Sequence, residues 1–492
     1  MNLLLVKIGT EPGLEAIVSK LKAFEPRVRT FGVTNMPNQA NYFDVQVTST
    51  YEALLGAHDE YLTHGLYVRP DLFRKIAKYE GQIMRMLERV AIHDLETVKK
   101  PPLPIPKFMD SVDDRSQLFL RMVAYWDDVF DRNKIRAVVA QNYGHNGWDA
   151  VIQIVAEARS IPYLYFHEVR PFLGALYVHE KSSDIGERQL GNHLIQAADL
   201  YYRVRDDTDL RRTRMLSQVG LCQLNEMTVE AGVKSSQLNK IFSRLSNPRK
   251  FSKRVLKSLK RRHRNRASIK DEVNAISNSH LPTNFVFCEV QSQPNATTTV
   301  KAWMYADQRE LLAQVSNNLP EGWSLVVKES DRQWSRMYPR RRNYWSQIAA
   351  IPKVMVIPHG SNAVEVMKLS RALIETSYST LALESVIHGV PVLVFGASHI
   401  GDLPNVYPVE TDQEIVEALA GINVLNRKIT SEEIRDGLAR FVDVSMKSTI
   451  PGSLSSVPFF TDDDARALYL EETTSKVAAV IAAWINGLPE LS

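Results

Sequence analysis

Four Ser/Thr hydroxyls fall within five positions at Thr376-Ser377-Tyr378-Ser379-Thr380, directly after the apolar run Ala372-Leu373-Ile374 and its terminal Glu375. A strand that runs through a Ser/Thr-rich turn into a helix gathers free backbone N–H groups at the positive end of the helix dipole. That is the chemistry of an anion site. Ser379 or Thr380 taken singly reads as a helix cap, but capping does not account for the whole cluster. Glu384 lies one turn into the same helical pattern, where its carboxylate suits a ribose diol or simply faces solvent. Three other stretches repeat the form of apolar strand followed by polar loop. Residues 285–290 lead into Gln291-Ser292-Gln293-Pro294-Asn295-Ala296-Thr297-Thr298. Residues 324–327 lead into Lys328-Glu329-Ser330-Asp331, and residues 354–357 into Pro358-His359-Gly360-Ser361. Ligands of open parallel sheets bind beyond the carboxyl ends of the strands. Gln293, Thr297, Lys328, His359, Ser377, Ser379, Thr380 and Glu384 therefore form a candidate set for a phosphate-bearing ligand.

The first half offers a different set. The run at residues 135–140 ends in Gln141-Asn142-Tyr143-Gly144-His145-Asn146-Gly147, and a helical pattern follows from Trp148. His145 and Asp149, four apart at that helix start, suit an acid/base group and its orienter. Asp149 also complements the helix dipole in a first turn. His167, Glu168 and Arg170 follow the next apolar strand and open onto the same edge, as acceptor-contacting candidates or as solvated loop residues.

Positioning these residues takes two α/β halves. In the first, residues 3–8 read as a strand, 14–21 as a helix, and 44–48 as a short strand. Residues 71–95 and 116–130 have helical patterns, 148–158 is a helix and 163–166 a second buried strand. In the second, strands at 284–290, 324–327, 354–357, 372–375 and 391–395 alternate with helices at 303–318, 345–351, 363–370 and 381–388. A last helix spans 464–486. Alternation of this density predicts a doubly wound parallel sheet. The expected fold class is α/β, with two Rossmann-like domains and a cleft between them. Residues 1–245 form an acceptor-side domain, 246–272 a basic linker, 273–460 a ligand-binding domain, and 461–492 a closing helix.

Composition narrows the class. The chain has 492 residues, 44% of them hydrophobic and 24% charged, which is ordinary globular usage. Its two cysteines, Cys222 and Cys288, exclude a disulfide framework and fit a reducing compartment. No signal-peptide pattern or spanning apolar stretch is visible, so a cytoplasmic protein is expected. The absence of a Gly-x-Gly-x-x-Gly fingerprint, a Walker loop or a His-Glu-x-x-His motif argues for no cofactor and no metal. The net charge of +4 hides an asymmetry. Between Arg249 and Lys270 lie eleven Lys/Arg and no Asp or Glu, so the remaining chain is net acidic. Phe251, Val255 and Leu259 add a shallow apolar face to this segment. It reads as an anionic-membrane contact at the inner membrane face or as a solvated linker. It lacks the aromatic interleaving of a nucleic-acid surface, so no nucleic-acid partner is expected.

The second half resembles the capsule polysaccharide biosynthesis glycosyltransferases, a GT-B group that includes capsular Kdo-transferases. The resemblance is carried by Gln293-Pro294-Asn295-Ala296-Thr297-Thr298 and by residues 319–329. It is carried furthest by residues 372–396, with their Ser/Thr turn, Glu384 and Gly389-Val390-Pro391-Val392-Leu393-Val394-Phe395-Gly396. His145-Asn146-Gly147-Trp148-Asp149 is similar to that family's first-domain His/Asp turn. The resemblance implies a metal-independent glycosyltransferase. A nucleotide-sugar donor would sit in the second domain, and a glycan or lipid-linked glycan acceptor in the first. Asp149 and His145 would be the catalytic residues. One departure is plain: the family follows Lys-Glu with His-Pro, and this chain has Ser330-Asp331, which leaves the donor open. A polyol-phosphate transferase of the teichoic-acid type and a non-catalytic carbohydrate-binding protein are the alternatives.

Overall fold

The computed structural model describes residues 1–6, 11–34, 42–49, 68–81, 83–84, 86–87, 112–141, 144, 147–168, 175–180, 271, 274–276, 280–293, 298, 302–330, 333, 340, 343–377, 379–396, 398, 400–425, 430–451 and 463–488. The chain divides into two compact units. One comprises Met1–Thr213 and Val442–Ser492, the other Arg214–Phe441. His145, Arg170, Thr297 and the whole basic stretch 249–270 lie outside the described residues.

The first unit opens with β1 (Asn2–Val6), α1 (Glu11–Phe24), β2 (Arg29–Thr34), β3 (Val45–Ser49), α2 (Pro70–Ile76) and α3 (Val112–Arg132). It continues with β4 (Ala137–Ala140), α4 (Trp148–Ala158), β5 (Tyr163–Glu168) and β6 (Ala175–Glu180). The second unit contains β7 (Phe285–Val290), α5 (Gln308–Asn317), β8 (Ser324–Glu329), α6 (Tyr344–Ala349), β9 (Val354–Val356), α7 (Ala363–Leu369) and β10 (Ala372–Glu375). It goes on through α8 (Thr380–Ile387), β11 (Val392–Val394), β12 (Val406–Pro408) and α9 (Asp412–Leu425). The division between the units falls within α10 (Ser431–Ser448), after which β13 (Thr449–Pro451) and α11 (Asp463–Gly487) complete the first unit.

The first unit's sheet has the order β13-β6-β5-β4-β1-β2-β3. The five strands β1 to β5 pair parallel, and β6 and β13 extend one edge antiparallel. β1 and β4 are flanked by strands on both sides and are buried along nearly their whole length, which is why they read as continuous apolar runs. One face of the sheet is covered by α1 and α11. Leu14, Ile17, Val18 and Leu21 join Val477, Ile481 and Trp484 over Leu3, Leu5, Val139 and Phe166. The closing helix thus belongs to the first unit's core.

The second unit's sheet is all parallel, in the order β12-β11-β10-β7-β8-β9. Counted from its first strand, that is 3-2-1-4-5-6, the doubly wound order. Its direction of winding reverses between β7 and β10. Two Rossmann-like α/β sheets in one chain are the domain content expected of GT-B. The predicted helix at 303–318 is interrupted. Trp303–Ala306 is a 3₁₀ turn, and Asp307 breaks from helical geometry to cap α5, accepting from Arg309 N at 3.1 Å. Among the described residues no helix is long and apolar enough to cross a membrane.

Candidate functional site

The carboxyl edge of the second sheet carries an unusual density of buried polar groups. At the end of β10, Glu375 is 2% exposed. Its two carboxyl oxygens accept from the Gln291 amide, which follows β7, and from the Ser379 hydroxyl. The β7/β10 reversal is therefore bridged directly by side chains from both strand ends. Both donors are neutral, and the acidic Glu289 lies close enough to oppose ionisation. Hydrogen bonds to a charged group contribute roughly 1.5–3 kcal/mol each. Desolvating a carboxylate costs several kcal/mol even after relaxation, and Glu289 adds to that cost. Desolvation wins. Burial chiefly, with help from Glu289, pushes the Glu375 carboxyl up to about 8 against the lowering effect of Ser379 and Gln291.

Ser379 is also the N-cap of α8, with extended backbone and its Oγ accepting from Ala382 N at 3.1 Å. The helix behind it is buried on almost every side, including Glu384 and Ser385. Its end is fixed by Gly389, at φ +73°, a left-handed conformation that glycine adopts without strain. Val390 N then bonds to Ser385 O at 2.8 Å, and Pro391 O receives Leu373 N at the same distance, starting the β10/β11 ladder. The Gly-x-Pro-Val run is thus a helix stop feeding a central strand, and it seats the Ser/Thr turn. Within that turn Ser377 is fully buried and Thr380 is exposed. The buried Thr376 Oγ1 has no hydrogen-bond partner among the described residues.

On the β8 side lie two ion pairs, buried except for the half-buried Glu289. Lys328 is 1% exposed, and its ammonium donates to Glu289 Oε1 at 2.7 Å across the β7/β8 pair. Glu329 takes a bidentate fork from Arg340, with Nε–Oε2 at 2.8 Å and a second nitrogen to Oε1 at 2.7 Å. Arg340 also donates to Gln293 Oε1 at 3.0 Å and Gln291 O at 2.9 Å, and its guanidinium stacks 4.9 Å from the Tyr344 ring centroid. Gln291 N and O form a reciprocal pair with the Gln308 amide, and Gln293 N donates to Gln333 Oε1 at 2.7 Å. The loop after β7 is thereby clamped by side chains from three other segments.

Of the sequence-derived set, the structure brings Gln293, Lys328, Ser377, Ser379, Thr380 and Glu384 to the ends of β7, β8 and β10 or to the helix that follows. His359 is half-buried beyond β9, an outer strand two places from β7. Glu375, Gln291, Glu329 and Arg340 are absent from that set. A lone acid ending an apolar run signals Glu375, whereas the run Arg340-Arg341-Arg342 does not single out the arginine that folds inward.

In the first unit Asp149 sits in the first turn of α4 and is 5% exposed. The loop before it lies so close that a Cβ on Gly144 would meet the Ala150 backbone at 2.2 Å. Gly144 N donates to Gln153 Oε1 at 2.8 Å, tying loop to helix. Burial, with the charge of Asp149 second, pushes the Tyr163 hydroxyl well above its ordinary value. That hydroxyl has no hydrogen-bond partner among the described residues. His167 and Glu168 are the last residues of β5, paired with Tyr177 and Leu176 of β6. The described residues contain no cluster of three His, Cys, Asp or Glu side chains able to hold a metal ion.

No family model and no curated protein matches the sequence. Among solved structures, a UDP-GlcNAc 2-epimerase from Neisseria meningitidis bound to UDP-GlcNAc is similar at 12% identity and TM-score 0.25, covering 90% of this chain and 98% of that one. A glycosyltransferase from Rickettsia africae is similar at 8% identity and TM-score 0.25, covering 91% and 96%. The calicheamicin glycosyltransferase is similar at 12% identity and TM-score 0.21, covering 99% and 98%.

Proposed function

We propose that the chain is a glycosyltransferase of GT-B type. It would move a sugar from a nucleotide-sugar donor to a growing glycan, of the bacterial capsular or lipopolysaccharide kind that the sequence resemblance implies. One observation carries the reading. The winding reversal at β7/β10 coincides with the Ser/Thr turn, the α8 N-terminus and the bridged Gln291–Glu375–Ser379 group. Nucleotides bind doubly wound sheets at that reversal, and a helix N-terminus beside a Ser/Thr turn suits their phosphates.

In this reading the acceptor hydroxyl oxygen attacks the anomeric carbon of the donor sugar. The bond from that carbon to the phosphate oxygen breaks, and the phosphate leaves with the bonding pair. The backbone N–H groups and hydroxyls of the turn, together with Lys328, would stabilise the charge that develops there. Asp149 takes the acceptor proton, with His145 four residues before it in sequence. Glu384 meets the ribose, while Gln293, Thr297, Lys328 and His359 border the nucleotide. His167, Glu168 and Arg170 meet the acceptor.

Incubation with UDP-, GDP- and CMP-sugars and an acceptor glycan tests this directly. Free nucleotide appearing together with a lengthened glycan supports the reading. Transfer of a polyol phosphate would put the chain in the teichoic-acid class, and neither event would leave a carbohydrate-binding protein.

A further inference from the structure

Ser379 has a single O–H hydrogen, and in the structure it is given to Glu375. Its Oγ meanwhile receives Ala382 N–H at 3.1 Å. A hydroxyl has one hydrogen to donate and two lone pairs to accept. It cannot serve the Glu375 carboxylate and a bound phosphate at once. We infer that anion binding at the turn after β10 is coupled to the uptake of one proton by Glu375, with Ser379 as the switch between them. This deepens the proposed function and rests on its placement of the donor phosphate.

Glu375 carboxylate takes a proton from solvent and becomes a carboxylic acid. Its O–H then donates to Ser379 Oγ, which keeps Ala382 N–H as its second donor. The hydroxyl hydrogen of Ser379 turns to the anion, and both its lone pairs remain filled. No charge is left buried against the incoming phosphate.

The surroundings favour this exchange. Gln291, the other partner of Glu375, is neutral. From β7 the neighbouring titratable groups are Cys288, whose thiol burial holds well above its ordinary value, and Glu289. Glu289 is paired with Lys328 of β8, and Glu384 is the acid of α8. The buried Thr376 hydroxyl, next in sequence to Glu375, has no hydrogen-bond partner among the described residues.

Calorimetric titration of the full chain between pH 7.5 and 9.5 tests the coupling, using UDP, GDP and CMP, and sulfate as an anion that does not titrate. Repeating each titration in two buffers of different ionisation enthalpy counts the protons taken up. For wild type, affinity should fall about tenfold per pH unit above the Glu375 transition, with uptake approaching one proton. Glu375→Gln, whose amide N–H donates to Ser379 at every pH, should bind with constant affinity and no uptake. The wild-type proton count stands even where the variant folds poorly. Nucleotide binding without proton uptake overturns the coupling and leaves the function intact. Proton-linked sulfate binding without nucleotide binding supports the coupling and overturns the function. No binding of any probe overturns both.

Discussion

Arg340 grips both carboxylate oxygens of Glu329, and with its remaining capacity it holds the loop after β7 at Gln291 and Gln293. Both side chains are almost wholly buried. An ion pair in such a place is weak support for stability in itself, but removing one partner strands a charge, at a cost of roughly 3–5 kcal/mol. Arg340→Met should therefore destabilise the fold by about that amount. The double variant Arg340→Met with Glu329→Gln should recover much of it, as read by denaturant unfolding. A double-variant loss equal to the sum of the losses in Arg340→Met and Glu329→Gln alone would show that the pair is not coupled.

Glu375 predicts an unusual pH dependence of stability. Its folded-state value of about 8 lies above the ordinary 4.5, so between those limits the native state binds more protons than the unfolded one. Stability then falls as pH rises through that window and levels off above it. Relative to Glu375→Gln, wild type should lose melting temperature between pH 5 and pH 9. A difference between the two proteins that stays constant with pH would contradict a buried, neutral carboxyl.

Asp149 is the base in the proposed transfer. Asp149→Asn keeps the shape of the first turn of α4 while removing the proton acceptor. Nucleotide affinity should be unchanged, and turnover should fall by roughly 10²–10⁴. A fall in nucleotide affinity at unchanged turnover per bound donor would instead place Asp149 in donor binding or structure.

The basic stretch from Arg249 to Lys270 should hold the protein to anionic membranes, at about 1 kcal/mol for each cation near the surface. Sedimentation with phosphatidylserine vesicles should show salt-sensitive binding that neutral vesicles lack. Charge reversal at Arg261, Arg262 and Arg264 to Glu should abolish it. Equal sedimentation of variant and wild type would exclude this stretch as the anchor.

The parts of the fold legible in the sequence are those where burial on both faces leaves an unbroken apolar run. β4, β7, β8, β10 and β11 are all central or next to central, and each announces itself this way. β2 does not stand out because Arg29, Thr30 and Gly32 break its pattern. β6 and β13 do not stand out because antiparallel edge pairing needs no such run. The candidate site divides in the same manner. Hydroxyls clustered after a strand are visible as local chemistry. The bridge from Gln291 to Glu375 spans 84 residues, and the Glu329–Arg340 fork depends on which arginine turns inward. Neither is written in local spacing.

Hydrogen exchange of the full chain, with and without saturating UDP, GDP or CMP, is the most direct test of the central claim that the β7/β10 reversal binds the donor nucleotide. At least one nucleotide should slow exchange at amides of residues 376–382 and of the loop from Gln291 to Thr298, with little change along β1 to β4. Protection confined to the first unit, or no protection by any of the three, would contradict it.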